Sequence, residues 1–523
     1  MTNDPTSADG AQAPSSLSRR DFLRVAGITG ASAFICRPQV GTAKAPQSRA
    51  LASKASSNVQ VISGYMSAKS LTVNAGKTVR FDPHVTTTVE LTGNAVIYGR
   101  LEMKPASPAV VHTLRFVGVD ESKFVGGGMD VLDTDVGLWV MGDGVLDLAG
   151  PRRQPWNRIG VSDTWLPSDE LIVTPTAIGD YSGFKPFTAG SQVPRVPGMP
   201  AAEVLNLTRN VRIEGTPSGR THVIIMSTQP QFVRRVAIRY VGPRKNGTNV
   251  LGRYGLHFHH CGNASAGSMV TGTVVRDAGN HAFVPHMSNG ITFRRCISYN
   301  TQEDAYWWDY GDSSDRIVFQ DCVAARVLAG TEVYRLAGFV MGPSVTPGSN
   351  SCVRCVAVGV QGDVNSSGFI WDEDNEGIWV NEECLGHNNV MDGIFTWQNT
   401  DKIHDIDKFI GYRNGKAGIE HGAYVNSYQY SDAVLRENGQ AGFYVHSQSV
   451  VDYPRPQLFT RPKIIGNGVT KYGMVLGLAP GFPPPPPGKG SMPSVAKTPS
   501  VGGCSKAYYQ PDGLPISDLL TVT

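Results

Sequence analysis

Three histidines and two aspartates recur at one phase of a short repeated pattern: His259, His286, Asp309, Asp372 and His446, with His257 two residues before the first. In an extended strand successive side chains point to opposite faces. In Gly255-Leu-His-Phe-His259 the leucine and phenylalanine therefore turn one way and both histidines the other. If successive repeats stack as strands about 4.8 Å apart, His259, His286 and Asp309 form a row on one outer face. Two imidazoles and a carboxylate so placed are able to hold a divalent metal with an open coordination position. They are equally able to work without one, a histidine acting as base and the aspartate as its orienter or as acid.

Hydrolysis of a glycosidic bond needs a carboxyl pair, for which Asp309 and Asp372 share a column. Elimination needs a base and a cation facing a uronate, for which His257 or His259 with Arg253 are the candidates. Trp307 and Trp397 offer flat apolar faces of the kind sugar rings stack on, and Glu303, Asp304 and Asp374 lie nearby. The bland alternative is an outward polar row that only solvates the face of a rigid scaffold. His260, His281, His387 and His421 read as structural or loop residues.

The elements that position this row follow from the repeat itself. A small residue followed by alternating apolar residues begins at Gly255, Ala282, Ala305, Gly338, Gly368, Gly393, Gly418 and Gly442, at intervals of 27, 23, 33, 30, 25, 25 and 24. A period of this size, with strand-length apolar runs, marks a solenoid whose units bury their apolar faces only by stacking. The expected fold is all-β, a right-handed parallel β-helix of the pectin-lyase-like kind. Asn300, Asn389, Asn414 and Asn438 fall at similar points of their repeats, where asparagine tolerates left-handed backbone and its amide bonds along a stack. Cys296, Cys322, Cys355 and Cys384 share another position and read as a buried ladder of free thiols. Cys352-Val-Arg-Cys355 leaves a metal site or disulfides as the alternatives.

Composition agrees with a β solenoid. Among 523 residues there are 59 Gly and 34 Pro, with 41% hydrophobic and only 17% charged residues, which disfavours long helices and disorder alike. A net charge of +3 gives no field that would select nucleic acid. No apolar run of about 18 residues follows the amino terminus, so no helical membrane span is expected in the mature chain.

Ser18-Arg19-Arg20-Asp21-Phe22-Leu23-Arg24 precedes a weakly apolar, Gly/Ala-containing run to Ile35, the pattern of a twin-arginine export signal. Residues 1–52 are read as that signal, recognised by the twin-arginine export machinery, with cleavage after Ala45 or Ala52. The mature protein is expected to be periplasmic or extracellular. The remaining expected segments are a Gly-rich β module at 53–160, a connecting β segment at 161–220, the main solenoid at 221–470, and a Pro-rich linker and tail at 471–523.

Residues 76–101 and Trp139-Val-Met-Gly-Asp-Gly-Val-Leu-Asp-Leu-Ala-Gly150 resemble a G8 domain. With 165–173, 202–215 and Gly252-Arg-Tyr-Gly-Leu-His-Phe-His259, the order of motifs resembles the cell-migration-inducing hyaluronidase and transmembrane protein 2 family over residues 60 to about 310. The resemblance implies that His222, Arg253, His257, His259, His286 and Asp309 match positions of a β-helix cleft, and that the partner is a polysaccharide such as hyaluronan. Gly255 stands where that family usually has proline, and Trp308-Asp309-Tyr310 replaces an acidic pair followed by glycine. The expected function is therefore an exported polysaccharide hydrolase or lyase, with a non-catalytic glycan-binding or cell-surface β-helix as the competing class.

Overall fold

The computed structural model describes residues 58–308, 312–330, 336–346, 348–363, 366–371, 378–396, 403–422, 427–447, 456–478 and 493–523. The export signal, Asp309, Asp372, Asp374 and Trp397 lie outside the described residues.

The chain is a right-handed parallel β-helix. Short strands recur in threes, and each pairs in parallel with its equivalent one coil on, building a sheet of 15 strands, a second of 14, and a third in runs of six and seven. Isolated bridges Phe283–Tyr306 and Tyr306–Phe339 carry the third sheet across its gap. The corner from the first sheet to the second is made by one residue in left-handed backbone, among them Arg295, Asp321, Arg354 and Glu383, at φ between 52° and 55°. The cysteine that follows each corner points inward. Cys296, Cys322, Cys355 and Cys384 are fully buried, and the seven cysteines of the described residues are free thiols.

Inward side chains interlock along the axis. Phe283, Tyr306, Phe339 and Phe369 stack with ring centroids 4.8, 4.3 and 5.0 Å apart. The small residue that opens each repeat has a steric cause: a Cβ on Gly368 would stand 2.6 Å from the Gly393 carbonyl oxygen, and one on Gly393 2.5 Å from that of Gly418. Asn389, Asn414 and Asn438 form a buried amide ladder, Asn389 Nδ2 donating to Asn414 Oδ1 and Asn414 Nδ2 to Asn438 Oδ1, both at 3.0 Å. Asn300 does not belong to it. It occupies the preceding left-handed corner position at φ 55°, and its amide donates to Asp277 instead.

The ladders cross the segment boundaries expected at 160 and 220. Val59–Ile62, Thr78–Phe81, Arg100–Met103, Val145–Ala149 and Phe232–Arg234 are consecutive rungs of one sheet, so the β-helix begins at Val59 rather than at 221. At the other end Ser494–Lys497, Ser500–Gly502 and Lys506–Tyr509 pair with the preceding coil. The carboxy-terminal residues therefore extend the solenoid.

One excursion leaves the coil path. Trp156–Asn157, Leu171–Val173, Lys185–Pro186 and Val204–Asn206 form a small antiparallel sheet. Trp156, Ile172, Val196, Met199 and Leu205 pack on outward apolar residues of the second sheet, among them Val274, Ile297, Val323, Val356 and Val358. This explains why that outer face is apolar.

Candidate metal and acid–base site

The third sheet presents the histidines as the alternation requires. Leu256 and Phe258 enter the core while His257 and His259 face outward, and His259 pairs in register with His286 one coil on. His259 Nδ1 lies 3.3 Å from His257 Nε2 and 3.0 Å from His286 Nδ1. The other nitrogens of the two flanking rings are committed. His257 Nδ1 donates to the Gly252 carbonyl at 2.8 Å, and His286 Nε2 donates to Asp312 Oδ2 at 2.7 Å. These outer bonds fix both tautomers. The lone pairs of His257 Nε2 and His286 Nδ1 thus converge on His259.

Such a set of three imidazoles fits a divalent metal with an open position. The ligand atoms of His257, His259 and His286 all lie within 4.8 Å of one another. Burial, with the neighbouring imidazoles His259 and His286, holds His257 well below the usual histidine range. Burial and His286 hold His259 down at about 2. These two rings are free bases at neutral pH, the form a metal requires.

His260, expected to be a structural or loop residue, also belongs here. The strand Leu256–Gly262 shifts register between His259 and Gly262, and His260 takes left-handed backbone at φ 54°. A bulge of this kind turns onto the outer face a side chain that alternation would send inward. The His260 ring comes to 4.7 Å from that of His286, and His260, His286 and Asp312 form a second convergent group. Burial and His286 lower the His260 imidazole, with Asp312 opposing. The hydrogen bond from His286 holds the Asp312 carboxyl below its ordinary range. Asp312, which the repeat did not single out, thus supplies a carboxylate to the row; nothing in the strand alternation could have found it.

Two expected substrate contacts are corrected. Arg253 is fully buried, donates to Asp135 Oδ2 at 2.8 Å and to the Gly127 carbonyl at 2.6 Å, and lies over the Trp139 ring. Its guanidinium pins the 125–135 loop beneath the site instead of facing a ligand. Burial opposes ionisation of Asp135, but N–H groups of Val125 and Gly126, the Thr134 hydroxyl and Arg253 hold its carboxyl below the usual range. Trp307 is 91% buried, stacks on His281 with centroids 3.7 Å apart, and meets Tyr254 edge-on, so it offers no free face to a sugar. His222, implied by the resemblance, is buried under Trp139, with Nε2 donating to the Asp135 carbonyl. Asp304 is buried and accepts from the Ala337 N–H.

Fold and site together define a parallel β-helix with an imidazole cluster on the outside of its third sheet. Residues 221–338, which hold that cluster, match the family described as CEMIP β-helix; the match covers less than a quarter of the chain. No curated protein matches. Among solved structures the chain is similar to the A-module of a mannuronan C-5 epimerase from Azotobacter vinelandii, at 13% identity and TM-score 0.27 over 88% of this chain and 91% of that one. It is also similar to a periplasmic alginate epimerase, at 11% identity and TM-score 0.32 over 88% and 79%. A third is the catalytic domain of a GH87 α-1,3-glucanase bound to tetrasaccharides, at 11% identity and TM-score 0.31 over 86% and 63%. Among the described residues no helix is long and apolar enough to cross a membrane.

Proposed function

We propose that this chain is an exported carbohydrate-active enzyme that cleaves a polysaccharide on the outer face of the third sheet, using a divalent metal held by His257, His259 and His286. One observation carries the reading. Three ring nitrogens converge while the outer nitrogens of two of the rings are already spoken for by Gly252 and Asp312. A hydrogen-bonded stack that only solvated a surface would have no need of such convergent lone pairs. A divalent metal held by these three imidazoles would supply Lewis acidity. Asp312 orients His286 and, with His260, forms the group able to pass a proton at the exposed edge of the site. The polysaccharide assignment rests on the family resemblance over residues 60 to about 310 and the match of residues 221–338. Export by the twin-arginine route rests on Ser18 to Arg24.

The test is elemental analysis of the purified mature protein, joined to product mass spectrometry on a panel of polysaccharides. Stoichiometric metal is expected in the wild type and is lost in His259→Ala. Asp312→Asn is expected to weaken metal binding by about 10- to 100-fold, the usual effect of removing a residue that orients a ligand. Wild-type protein that binds no metal, or binds glycan and forms no product, refutes the reading; the second result makes the chain a display module.

A further inference from the structure

His286 has a ligand-type atom facing each of its ring nitrogens. Nδ1 faces His259 at 3.0 Å, and Nε2 donates to Asp312 Oδ2 at 2.7 Å. The ring therefore stands between two groups of metal-ligating atoms. His257, His259 and His286 form the first, and His260, His286 and Asp312 the second; in each, the three ligand atoms lie within 4.8 Å of one another. The first group is set against the sheet, with His257 fully buried and His259 half-buried. The second lies at the open edge, where His260 is exposed and the Asp312 side chain is 42% exposed.

An aspartate that only orients a metal-bound histidine is a common arrangement, and Asp312 alone would supply it. His260 is what that role leaves unexplained. Its ring stands edge-on to His286, with centroids 4.7 Å apart and planes at 86°. It is held there by left-handed backbone at φ 54°, a conformation that disfavours a residue with a Cβ. The bulge does not itself call for an imidazole. Met287 follows His286 as His260 follows His259, and it takes the same backbone region at φ 44° with a thioether side chain. Histidine at 260 thus adds a third donor beside His286 and Asp312. Charge points the same way. A divalent ion on three neutral imidazoles brings a double positive charge into a largely buried setting, which is costly without a counter-charge. The Asp312 carboxylate supplies one negative charge, and an imidazole ligated through both nitrogens supplies another.

We propose that His286 bridges two divalent transition-metal ions, one on His257, His259 and His286 Nδ1, the other on His286 Nε2, His260 and Asp312. The second ion takes the place of the proton that His286 Nε2 now donates to Asp312, and that proton leaves to solvent. The contact between Nε2 and Oδ2 opens as the ion enters, since a tetrahedral ion about 2.0 to 2.1 Å from each ligand holds two ligands about 3.4 Å apart. Asp312, exposed at the edge, has solvent to move into. Two imidazole nitrogens and one carboxylate oxygen suit zinc, copper or nickel rather than calcium or magnesium, which take oxygen ligands. His260 and Asp312 place the second ion at the exposed edge, within reach of a sugar oxygen or a substrate carboxylate. This inference rests on the three-imidazole reading above and adds to it a second cation, a bridging role for His286 and a ligand role for His260.

The experiment strips the purified, tag-free chain with chelator, removes the chelator, and titrates the protein with Zn(II) and separately with Cu(II). Bound metal per chain is counted by calorimetry and elemental analysis, and the copper sites are read by electron paramagnetic resonance. Wild type is expected to bind two equivalents of Zn(II). His260→Gly and His260→Gln are expected to bind one, the glycine variant keeping the left-handed backbone without strain. With two equivalents of Cu(II), wild type is expected to lose signal intensity through exchange coupling across the His286 ring, and His260→Gly to show the ordinary uncoupled signal of one ion. Thermal melts confirm that the variants fold. One equivalent in folded wild type overturns the second ion and leaves the three-imidazole site in place, whereas no bound metal overturns both. Two equivalents that persist in both His260 variants, or two Cu(II) ions with independent signals, also overturn the proposal, because the second ion then lies elsewhere.

Discussion

Glu203→Gln tests how the antiparallel excursion is fastened to the β-helix. Glu203 is fully buried on the excursion, and its carboxylate accepts from Arg158 Nε at 2.9 Å, Thr174 Oγ1 at 2.9 Å and His387 Nε2 of the solenoid at 3.0 Å. Burial alone would raise its pKa, but Arg158 and His387 outweigh burial and hold it at about 2 against an ordinary 4.5. At about 1.4 kcal/mol per pH unit, this difference makes the ionised form worth about 3 kcal/mol of stability. Glutamine keeps the shape and the Thr174 contact but leaves the partly buried Arg158 guanidinium without a counter-charge. A loss of about 3 to 5 kcal/mol is expected, the usual cost of breaking a buried pair on one side.

The sign with pH follows from linkage. The folded value is the lower one, so the stabilisation is complete above pH 4.5 and is lost as pH falls through about 2. Urea titrations of both proteins, followed by fluorescence of Trp156 and Trp165 on the excursion, are expected to differ at pH 7 and to converge near pH 2. Equal stability at pH 7, or a difference that persists unchanged at pH 2, would refute the ion-pair account.

Two further outcomes follow from the backbone and its ladders. Asn414→Ala removes an amide that accepts from the Asn389 side chain and backbone and donates to Asn438 and to the Gly386 carbonyl. With buried partners costing about 1 to 3 kcal/mol each when unmet, chemical denaturation should show a loss on the order of 3 kcal/mol, and no change would show that the ladder is idle. His260→Gly should show a higher thermal midpoint than His260→Ala, because left-handed backbone costs a Cβ-bearing residue about 1 kcal/mol that glycine avoids. A glycine variant less stable than the alanine one would contradict the bulge as the source of the His260 position.

Sequence alone determined the solenoid, because a coil cannot close its own core. The small residue and the alternating apolar residues had to recur with the coil, and their phase fixed which side chains face out. Leu256 against His257, Phe258 against His259, and the register of His259 with His286 are legible for that reason. The start of the helix at Val59 was not legible, since the intervals between its early rungs are irregular and the excursion at 156–206 interrupts them.

The composition of the site was legible only where it followed alternation. Arg253 looks like a substrate contact until Asp135, 118 residues away in the chain, is placed against it. His260 reads as a structural or loop residue until the bulge turns it out, and a bulge exists only relative to the neighbouring strand. Asp312 sits off the repeated phase, so only the stacking of coils shows that it meets His286. Residue type and period thus specify which faces exist. Which groups touch across those faces depends on chain path between coils, a long-range property that tertiary structure alone decides.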